Sequence, residues 1–432
     1  MKKSQIKNIK AREILDSRGK PTVESDLITA QGLFRASVPS GASKGKYEAI
    51  ELKDREKRYF KEGVKKAVKN INQIIAPRLK GKDVAKQKEI DEFMIKLDGT
   101  KNKAKLGANA ILPVSIAVCR AAAAAQSLPL YSYVSQLSEL AEVRPPLIFV
   151  PRMPEACFNV INGGAHAGND LDIQEFMIVP QMKSFKENLR IASEIYHTLK
   201  EILEKKFGKS ATNLGDEGGF APCLSKAKDV LDLIVIAIKK ANYQKKVKIG
   251  LDCAASQFYK NGKYFFEGKK ISGEKLGEFY QNLIKNYPIL FLEDPFSEND
   301  LKSWQHLISN IQYPTSNIFI IGDDLTVTNP ERIKEAQKKK ACNGVILKPN
   351  QIGTVTETIE AVKLAKFYNW KIIVSHRSGD TCDDFISDLA VGIGADFIKS
   401  GAPARGERVS KYNRLLRIEE EIKANQSLPK KK

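Results

Sequence analysis

The sequence has no pair of cysteines at a spacing that binds zinc or forms a redox centre. Its six cysteines are scattered along 432 residues, none forms a C-x-x-C pair, and none is grouped with the four histidines. Zinc sites need such clusters, so the sequence argues against a zinc centre. Single cysteines in apolar segments are typical of reduced, buried thiols in a cytosolic protein.

Long apolar runs and a leader segment are also missing. We expect no apolar stretch long enough to cross a bilayer, which takes about 20 consecutive residues. Residues 1–10 are charged and have no apolar run behind them that would make a secretory signal. The sequence therefore predicts a cytoplasmic protein without a membrane span. A secondary pool at the cell surface or outside the cell, reached without a signal peptide, stays open as an alternative.

Acidic residues are few relative to basic ones. The chain has 71 lysines and arginines against 51 aspartates and glutamates, which gives a net charge of +20. Three alternatives fit this charge: a nucleic-acid or anionic-surface partner, an anionic small-molecule substrate, or a solvated surface. The lysines are spread along helical segments and do not alternate with aromatic residues, which weakens the case for nucleic acid.

Two patterns divide the chain. Residues 1–140 combine alternating apolar and polar segments with helical segments, and predict a small α+β domain. Prolines within residues 142–154 mark a boundary. From 141 to 420, short apolar runs alternate with helical segments, which predicts βα units around a parallel sheet. About eight strands in roughly 270 residues match a closed (β/α)8 barrel. Residues 421–432 predict a polar, frayed tail.

Helices are predicted wherever the apolar residues recur at helical spacing. The alanine-rich segment 107–125 carries Pro113, and we expect it to kink or to form two pieces. The other predicted helices cover residues 64–75, 87–97, 185–207, 226–240, 273–286, 301–311, 330–340, 354–368 and 381–391.

Several apolar runs of the second region stop on a charged or polar residue. The runs and the residues that follow them are 247–251 before Asp252, 289–292 before Glu293, 318–322 before Asp323, 345–347 before Lys348, 371–374 before Ser375 and His376, and 395–398 before Lys399. The C-terminal ends of parallel strands meet at one end of a barrel, where barrels keep their chemistry. Three acids followed by two lysines predict a metal site that faces a basic catalytic group.

Asp252, Glu293 and Asp323 offer the hard oxygen ligands that Mg²⁺ prefers. Three carboxylates at one barrel mouth would repel one another unless a cation sat between them. The alternative is that each acid is a cap or a salt-bridge partner, which is the commoner role of a single acid at a strand end. Three such acids on successive strands favour the metal site.

The lysines and one further acid have two interpretations each. Lys348 and Lys399 are either structural partners of the carboxylates or, with a pKa depressed by a nearby cation, general bases. A Schiff-base lysine would not need three metal-binding acids. Glu217, in a glycine-rich segment, is either part of a capped turn or a general acid opposite a lysine base. Residues 375–379 offer donors for a phosphate or a carboxylate.

Ten motifs of this chain, taken in order, resemble the enolase family. The resemblance runs from residues 12–19 to residues 415–420 and so covers nearly the whole chain. The motifs are Ser40-Gly-Ala-Ser43, Asn162-Gly-Gly-Ala-His166, Gln174-Glu175-Phe-Met, Gly215-Asp-Glu-Gly-Gly219, Gly250-Leu-Asp252-Cys-Ala, Glu293-Asp-Pro-Phe296, Asp323-Asp-Leu-Thr-Val-Thr-Asn-Pro330, Lys348-Pro-Asn-Gln-Ile-Gly-Thr354, Ser375-His-Arg-Ser-Gly379 and Lys399-Ser-Gly-Ala-Pro-Ala-Arg405.

This resemblance implies a fold, a reaction and its cofactors. The fold is a small α+β N-terminal domain that caps a (β/α)8-type barrel with an irregular start. The reaction is the reversible dehydration of 2-phospho-D-glycerate to phosphoenolpyruvate, a step of glycolysis and gluconeogenesis. The cofactors are two Mg²⁺ ions per active site, and the assembly is at least a homodimer.

Roles follow when the residues are matched one by one. Lys348 would take the C2 proton, and Glu217 would assist the loss of the C3 hydroxyl. The acids Asp252, Glu293 and Asp323 would hold the first Mg²⁺. Ser43 would bind the second as its loop, residues 40–45, closes. Arg377 and Ser378 would hold the phosphate. The pocket would be lined by His166, Gln174, Glu175, His376 and Lys399.

Two other functions remain open at this stage. An acid-sugar dehydratase or racemase of the wider superfamily would share the proton abstraction, but it should lack the loop 40–45 and the pair Arg377-Ser378, which this chain has. A second role in binding RNA or a surface protein, through the terminal lysines 430–432, does not compete with catalysis.

Overall fold

The structure is a computed structural model that describes residues 3–41, 45, 47–138, 151–311 and 318–427. Several of the predicted features lie outside these ranges. They are Ser43, the domain boundary between residues 140 and 141, and the terminal lysines 430–432.

The N-terminal part is a three-stranded antiparallel sheet with helices on one side. Its strands are β1 (Asn8–Leu15), β2 (Pro21–Thr29) and β3 (Gly32–Ser37), in that order, as the alternating pattern predicts. The helices that follow are α1 (Lys65–Asn70), α2 (Ala76–Leu79), α3 (Gln87–Asp98), α4 (Ala108–Ala125) and α5 (Leu130–Ser138). A π-helical turn, Ile71–Ile75, joins α1 to α2.

Helix α4 bears on two expectations. It is one helix and not two pieces, although Pro113 lies inside it. It packs against β2 and β3, and almost all of its side chains are buried, so tertiary packing offsets the hydrogen bond that proline removes. Among the described helices it is the one that is long and apolar enough to cross a membrane, contrary to our expectation. However, 83% of it is buried inside the protein, as in the core helix of a folded domain.

Eight strands of the second part close a barrel in the order β10-β11-β12-β13-β14-β4-β5-β6, which confirms the predicted fold class. Strands β7 to β9 form a separate small antiparallel sheet. The strands are β4 (Glu155–Asn162), β5 (Glu175–Pro180), β6 (Val247–Asp252), β7 (Tyr259–Lys260), β8 (Lys263–Phe266), β9 (Lys269–Ile271), β10 (Ile289–Glu293), β11 (Phe319–Gly322), β12 (Gly344–Leu347), β13 (Lys371–Ser375) and β14 (Phe397–Lys399).

The barrel starts irregularly. Strand β5 runs antiparallel to both of its neighbours, β4 and β6, whereas the other neighbouring pairs are parallel. Strands β4 and β5 are joined without a long helix between them, which only an antiparallel pair allows. The first residue of β5 therefore lies at the same end of the barrel as the last residues of the parallel strands.

Three of the described helices around the barrel begin at a side chain that caps them. Ser272 accepts the backbone N–H of Lys275 at the start of α8, and Thr354 accepts that of Glu357 at the start of α12. Asn329 caps α10, whose first residue is Pro330. The helices are α6 (Phe185–Phe207), α7 (Ala227–Lys240), α8 (Gly273–Asn286), α9 (Leu301–Ile311), α10 (Pro330–Lys338), α11 (Pro349–Ile352), α12 (Val355–Phe367), α13 (Phe385–Gly392) and α14 (Gly406–Ser427).

Helices α5 and α11 were not predicted, and the predicted helix 64–75 is divided into α1 and the π-helical turn. Two further helices differ from the prediction. Helix α13 begins at Phe385, four residues later than expected, because the side chain of Asp383 accepts the backbone N–H of Phe385 (3.0 Å). Helix α14 was not predicted at all. It extends into the segment that the sequence assigns to a polar tail, where Glu421 accepts a hydrogen bond from Arg414 (2.8 Å).

The interior of the barrel has an apolar layer beneath a charged one. We call the lower set the inner apolar layer; it consists of Cys157, Met177, Val179, Leu290, Phe291, Ile321, Ile346, Ile373 and Phe397. Side chains along a strand alternate between its two faces, so a residue two positions further on points to the same side. Glu293 thus points to the same side of its strand as Phe291, and Lys348 to the same side as Ile346. We call the upper set the charged rim; it consists of Glu175, Asp252, Glu293, Asp323, Lys348 and Lys399.

Candidate active site

Strand register brings the charged rim together. Asp252 pairs with Glu293 on one side, in the parallel register of β6 and β10, and with Glu175 on the other, in the antiparallel register of β5 and β6. Lys399, at the end of β14, pairs with Ser375 at the end of β13. The convergence expected from the strand ends is therefore present, and the reversed strand β5 adds Glu175 to it.

Lys399 is a buried cation among three carboxylates. Its ammonium lies 2.8 and 2.9 Å from the two oxygens of Glu293, 3.1 Å from Asp252 and 3.4 Å from Glu175. Burial alone would lower the pKa of Lys399, but Asp252, Glu175 and Glu293 outweigh it and hold the pKa well above its ordinary value. Lys399 is thus a fixed positive charge, which suits holding an anion better than accepting a proton.

The acids around Lys399 have pKa values raised by burial and by neighbouring carboxylates. Burial, followed by the charge of Glu217, raises the pKa of Glu175 well above its ordinary value. Burial and the neighbouring Asp252 do the same to Glu293, against the attraction of Lys399. Added positive charge stabilises the ionised form of carboxylates that are crowded in this way.

Lys348 has one acidic partner among the described residues. Its ammonium donates to Asp323, whose other oxygen accepts the side-chain N–H of Gln351 (2.9 Å). Burial alone would lower the pKa of Lys348, but Asp323 outweighs burial and raises it. Lys348 can therefore act as a base only when the charge of Asp323 is engaged elsewhere.

Glu217 lies on a turn between β5 and β6 that is packed against the loop carrying His166. A side chain at Gly215 would lie 2.6 Å from the carbonyl oxygen of His166, so this approach requires glycine. Asn159 donates to Glu217 (3.0 Å), and the nearest nitrogens of His166 and His376 lie 3.4 and 3.5 Å from its oxygens.

The ionisation of this group is set by its neighbours. Burial alone would raise the pKa of Glu217, but the two histidines and Arg408 outweigh it and hold the pKa well below its ordinary value. Burial lowers the pKa of His376 to about 4 and also lowers that of His166. Glu217 is thus ionised in the free protein: a neutral imidazole beside it can still offer an N–H, and Arg408 supplies positive charge.

Arg377 and Ser378 lie on the loop after β13, at the contact with the N-terminal part. Glu48 accepts two hydrogen bonds from the Arg377 guanidinium (3.0 and 3.2 Å), and Asn350 accepts a third (3.2 Å). The hydroxyl of Ser378 accepts from Arg18 (3.4 Å). The guanidinium is buried and oriented before any substrate arrives, which favours recognition of a phosphate or carboxylate.

One cavity gathers nearly all of the residues singled out from the sequence. Glu293 lies just behind its wall, bonded to Lys399, and Ser43 lies outside the described residues. The other eleven residues line the cavity together with Ser375: His166, Gln174, Glu175, Glu217, Asp252, Asp323, Lys348, His376, Arg377, Ser378 and Lys399.

Several residues of the site were not found from the sequence. Asp294 and Asp324 also line the cavity; each directly follows a rim acid, and that adjacency was an available signal. Asn159 and Glu48 act on Glu217 and Arg377 from strands and loops far away in the chain. Arg408 binds the loop around His376 from helix α14. Hydrogen bonds between segments that are far apart in the chain leave no local pattern in the sequence.

The donor set fits a divalent cation. Asp294, Asp323 and Asp324 offer oxygens within 4.8 Å of one another, and Asp252 and Glu293 lie beside them on the rim. All are hard oxygen donors without cysteine, which Mg²⁺ and similar ions prefer over softer ligands. Asp324 has a pKa raised to about 7 by burial and by the charge of Asp323, as expected where carboxylates crowd. A second set, His166, Glu175 and Glu217, has the same spacing.

Comparison with known proteins extends this picture over the whole chain. Residues 150–431 match the family model described as "Enolase, C-terminal TIM barrel domain", and residues 6–134 match "Enolase, N-terminal domain". A protein named "Enolase" from Mastigamoeba balamuthi is 54% identical over 436 aligned residues, which cover 98% of this chain and 97% of that protein.

Proposed function

The chain belongs to the enolase family, and from this we propose how its residues catalyse the reversible dehydration of 2-phospho-D-glycerate to phosphoenolpyruvate. The observation that supports the assignment of roles most strongly is the single cavity that Lys348, Glu217, Asp252 and Asp323 share. It offers a base, an acid and a cation site within reach of one small anion.

We assign the abstraction of the C2 proton to Lys348. This proton is weakly acidic because it lies next to a carboxylate, and its removal adds negative charge to an anion. Asp252, Glu293 and Asp323 would hold a divalent cation, which would supply positive charge to that carboxylate and draw the charge of Asp323 away from Lys348. Lys399 adds a fixed positive charge to the cavity, which further stabilises the negative charge that forms on the substrate.

We assign assistance to the departing C3 hydroxyl to Glu217. A general acid must carry a proton when the hydroxyl leaves, whereas the pKa of Glu217 in the free protein is well below its ordinary value. The phosphate and carboxylate of a bound substrate bring negative charge into the cavity, which shifts this pKa upward. Asn159 and the two histidines keep the carboxyl aimed at the cavity.

The remaining residues bind the substrate and orient the groups around it. Arg377 and Ser378 hold the phosphate, because the guanidinium lines the cavity and is already oriented by Glu48. Gln174 donates to Asp252 (3.3 Å) and so orients a rim carboxylate. His166, Glu175 and His376 complete the wall around the reacting carbons.

Membership of the family implies dependence on a divalent metal ion. We propose that the ion is Mg²⁺ and that two are bound in each active site. Asp252, Glu293 and Asp323 are assigned to the first, because they are the rim acids of three adjacent strands. Ser43, on the loop 40–45, is assigned to the second.

Organisation and assembly are proposed on the same basis. The two family models match on either side of residues 135–149, which supports a capping domain at 1–140 and a barrel at 141–420. We propose at least a homodimer in the cytoplasm. Light scattering of the purified protein measures the mass of the assembly, and a mass of one chain, 48.1 kDa, at micromolar concentration would contradict the dimer.

The activity is tested by following phosphoenolpyruvate formation by absorbance, with and without Mg²⁺. The roles are tested by exchange of the C2 hydrogen with solvent deuterium in two variants. Glu217→Gln should retain exchange while losing turnover, because Lys348 still removes the proton. Lys348→Ala should lose both. Equal exchange in the two variants would show that the roles are assigned wrongly.

A further inference from the structure

Arg408, near the start of α14, is completely buried beneath the active site. Its guanidinium donates to the backbone oxygens of Ser378 (2.6 Å), Arg377 (2.7 Å) and Asp216 (2.9 Å). It also lies 2.5 Å from Nδ1 of His376. One side chain therefore binds both loops that carry the proposed acid and phosphate-binding groups.

A buried guanidinium is costly unless its charge is balanced and its donors are used. The nearest carboxylates are Glu407, 3.3 Å from Nε, and Asp380, 3.8 Å from Nη1. Gly401 makes room for the side chain, since a Cβ at that position would lie 2.8 Å from Cδ of Arg408. The site is thus built to admit an arginine whose hydrogen bonds go to the catalytic loops.

The contact with His376 determines which imidazole nitrogen carries the proton. A guanidinium has donors and no acceptor, so Nδ1 of His376 must accept. The ring is neutral, because burial lowers its pKa to about 4. The single ring proton is therefore on Nε2, which lies 3.5 Å from Glu217. Arg408 in this way directs an N–H of the imidazole toward the carboxylate.

We propose that Arg408 is a positioning residue for the dehydration: it fixes His376 as the Nε2–H tautomer facing Glu217 and holds the 216–217 turn against the 376–378 loop. The part that concerns catalysis rests on the proposed role of Glu217. Lys348 is not part of this network, since its hydrogen bonds go to Asp323 and Thr328. Loss of Arg408 should therefore impair loss of the hydroxyl more than removal of the C2 proton.

The tautomer is tested by ¹⁵N NMR of histidine-labelled protein, which is feasible because the chain has only four histidines. His376→Gln assigns the resonances. In the unaltered protein His376 should show one protonated nitrogen, Nε2, and one unprotonated nitrogen, Nδ1. In Arg408→Met, which keeps the bulk and removes the donors, the two nitrogens should move toward the average of exchanging tautomers. An Nδ1–H tautomer in the unaltered protein, or an unchanged pattern in Arg408→Met, would overturn the proposal.

The catalytic consequence is tested by kinetics on the same variant. We expect kcat to fall about 100-fold, as for a small misplacement of catalytic groups. KM should rise, because the Arg377-Ser378 loop is released. The ratio of C2 exchange to turnover should rise about 10-fold. A merely structural role would lower exchange and turnover in proportion.

Arg414→Met is the matched control on the same helix. Arg414 is bonded to Asp388 and Glu421, away from the cavity, so its loss should reduce stability and leave kcat, KM and the exchange ratio unchanged. Should Arg408→Met fail to fold, Arg408→Lys keeps the charge and bulk, and it should show the same raised ratio with a kcat about 10-fold lower. A normal ratio in Arg408→Lys would contradict the proposal. The NMR result does not depend on the role of Glu217, so failure of the proposed function is recognised separately.

Discussion

The inner apolar layer and the charged rim lie two residues apart on the same strands and are almost equally buried. Ile346 and Ile373 are fully buried, and so are Glu293 and Lys399 to within a few per cent. What differs is only the chemistry of the side chains. The lower layer gains free energy from leaving water, whereas the rim loses it, because buried charges give up hydration that their partners replace incompletely.

The difference shows where the barrel derives its stability and where it places its chemistry. Five of the rim groups have pKa values held away from their ordinary range by burial and by one another: Glu175, Glu293, Asp323, Lys348 and Lys399. Such perturbed groups gather at functional sites. Of the four predictions that follow, three either separate the two layers further or show that they are one unit, and the fourth concerns a buried acid outside both.

The largest separation should come from Glu175→Gln, which keeps the shape of a rim residue and removes its charge. We expect kcat to fall about 100-fold or more. The free energy of unfolding should not fall, because a carboxyl whose folded pKa is raised destabilises the folded state when it is ionised at neutral pH. Urea unfolding and the absorbance assay measure the two effects. Glu274→Gln, at an exposed position of helix α8, is the control. A loss of stability only in Glu175→Gln would show that the rim also holds the barrel together.

The converse result is expected from Ile373→Ala in the inner apolar layer. Removing this fully buried side chain should lower the free energy of unfolding by about 2–5 kcal/mol. The kcat of the folded protein should stay within about 2-fold, since Ser375 above it is not among the proposed catalytic groups. If kcat falls as far as in a rim variant, the two layers cannot be treated separately.

A smaller effect is expected from Asp252→Asn. We expect Mg²⁺ affinity to fall at least about 10-fold, because one of the anionic ligands is lost. The circular dichroism spectrum should not change, since the rim lies above the packed interior. Titration with Mg²⁺, followed by calorimetry or by activity, measures the affinity. Unfolding of the variant would instead support the alternative that this acid is structural.

The smallest effect concerns a buried acid that belongs to neither layer. Asp91, on α3, accepts the backbone N–H of Thr356 (3.0 Å) and a side-chain hydrogen bond from Gln87 (3.0 Å), while its other oxygen has no hydrogen-bond partner among the described residues. Burial raises the pKa of Asp91. The folded protein thus binds this proton more tightly than the unfolded chain, so stability should decrease as pH rises from about 4 through the raised pKa.

Asp91→Asn tests this slope. The amide oxygen can keep the existing hydrogen bonds and the amide nitrogen can take the place of the unpartnered oxygen. Urea unfolding at several pH values between 4 and 8 should show a flatter dependence for the variant than for the unaltered protein. Identical slopes would mean that the acid is ionised without penalty.

Much of the fold could be predicted because its signals are local. Residues 247–251 and 289–292 are apolar runs ended by acids, and the strands there are β6 and β10 with nearly the same bounds. Helix α14 was missed although Tyr412, Leu415 and Ile418 recur at helical spacing and are buried. The late start of α13 was missed because it depends on a side-chain cap.

The residues of the site that could be predicted are those that end a strand or belong to a recognisable motif. Lys399 and Glu293 were identified because each ends a strand. Arg408 and Glu48 were not, because their roles arise from the meeting of segments that are far apart in the chain. Glu175 was predicted from the family resemblance alone, since nothing in the sequence around it indicates that β5 is antiparallel to its neighbours.

The pairing of β4 with β14 has a consequence for how the protein is made. Glu155 of β4 lies beside Phe397 of β14, so the first barrel strand to leave the ribosome pairs with the last. Until β14 emerges, one edge of β4 has backbone groups without a partner strand, and such an edge invites pairing with other chains. Lys399 arrives on that same strand, next to Glu293 and Asp252. During synthesis, therefore, the carboxylates acquire their buried cation in the step that closes the barrel.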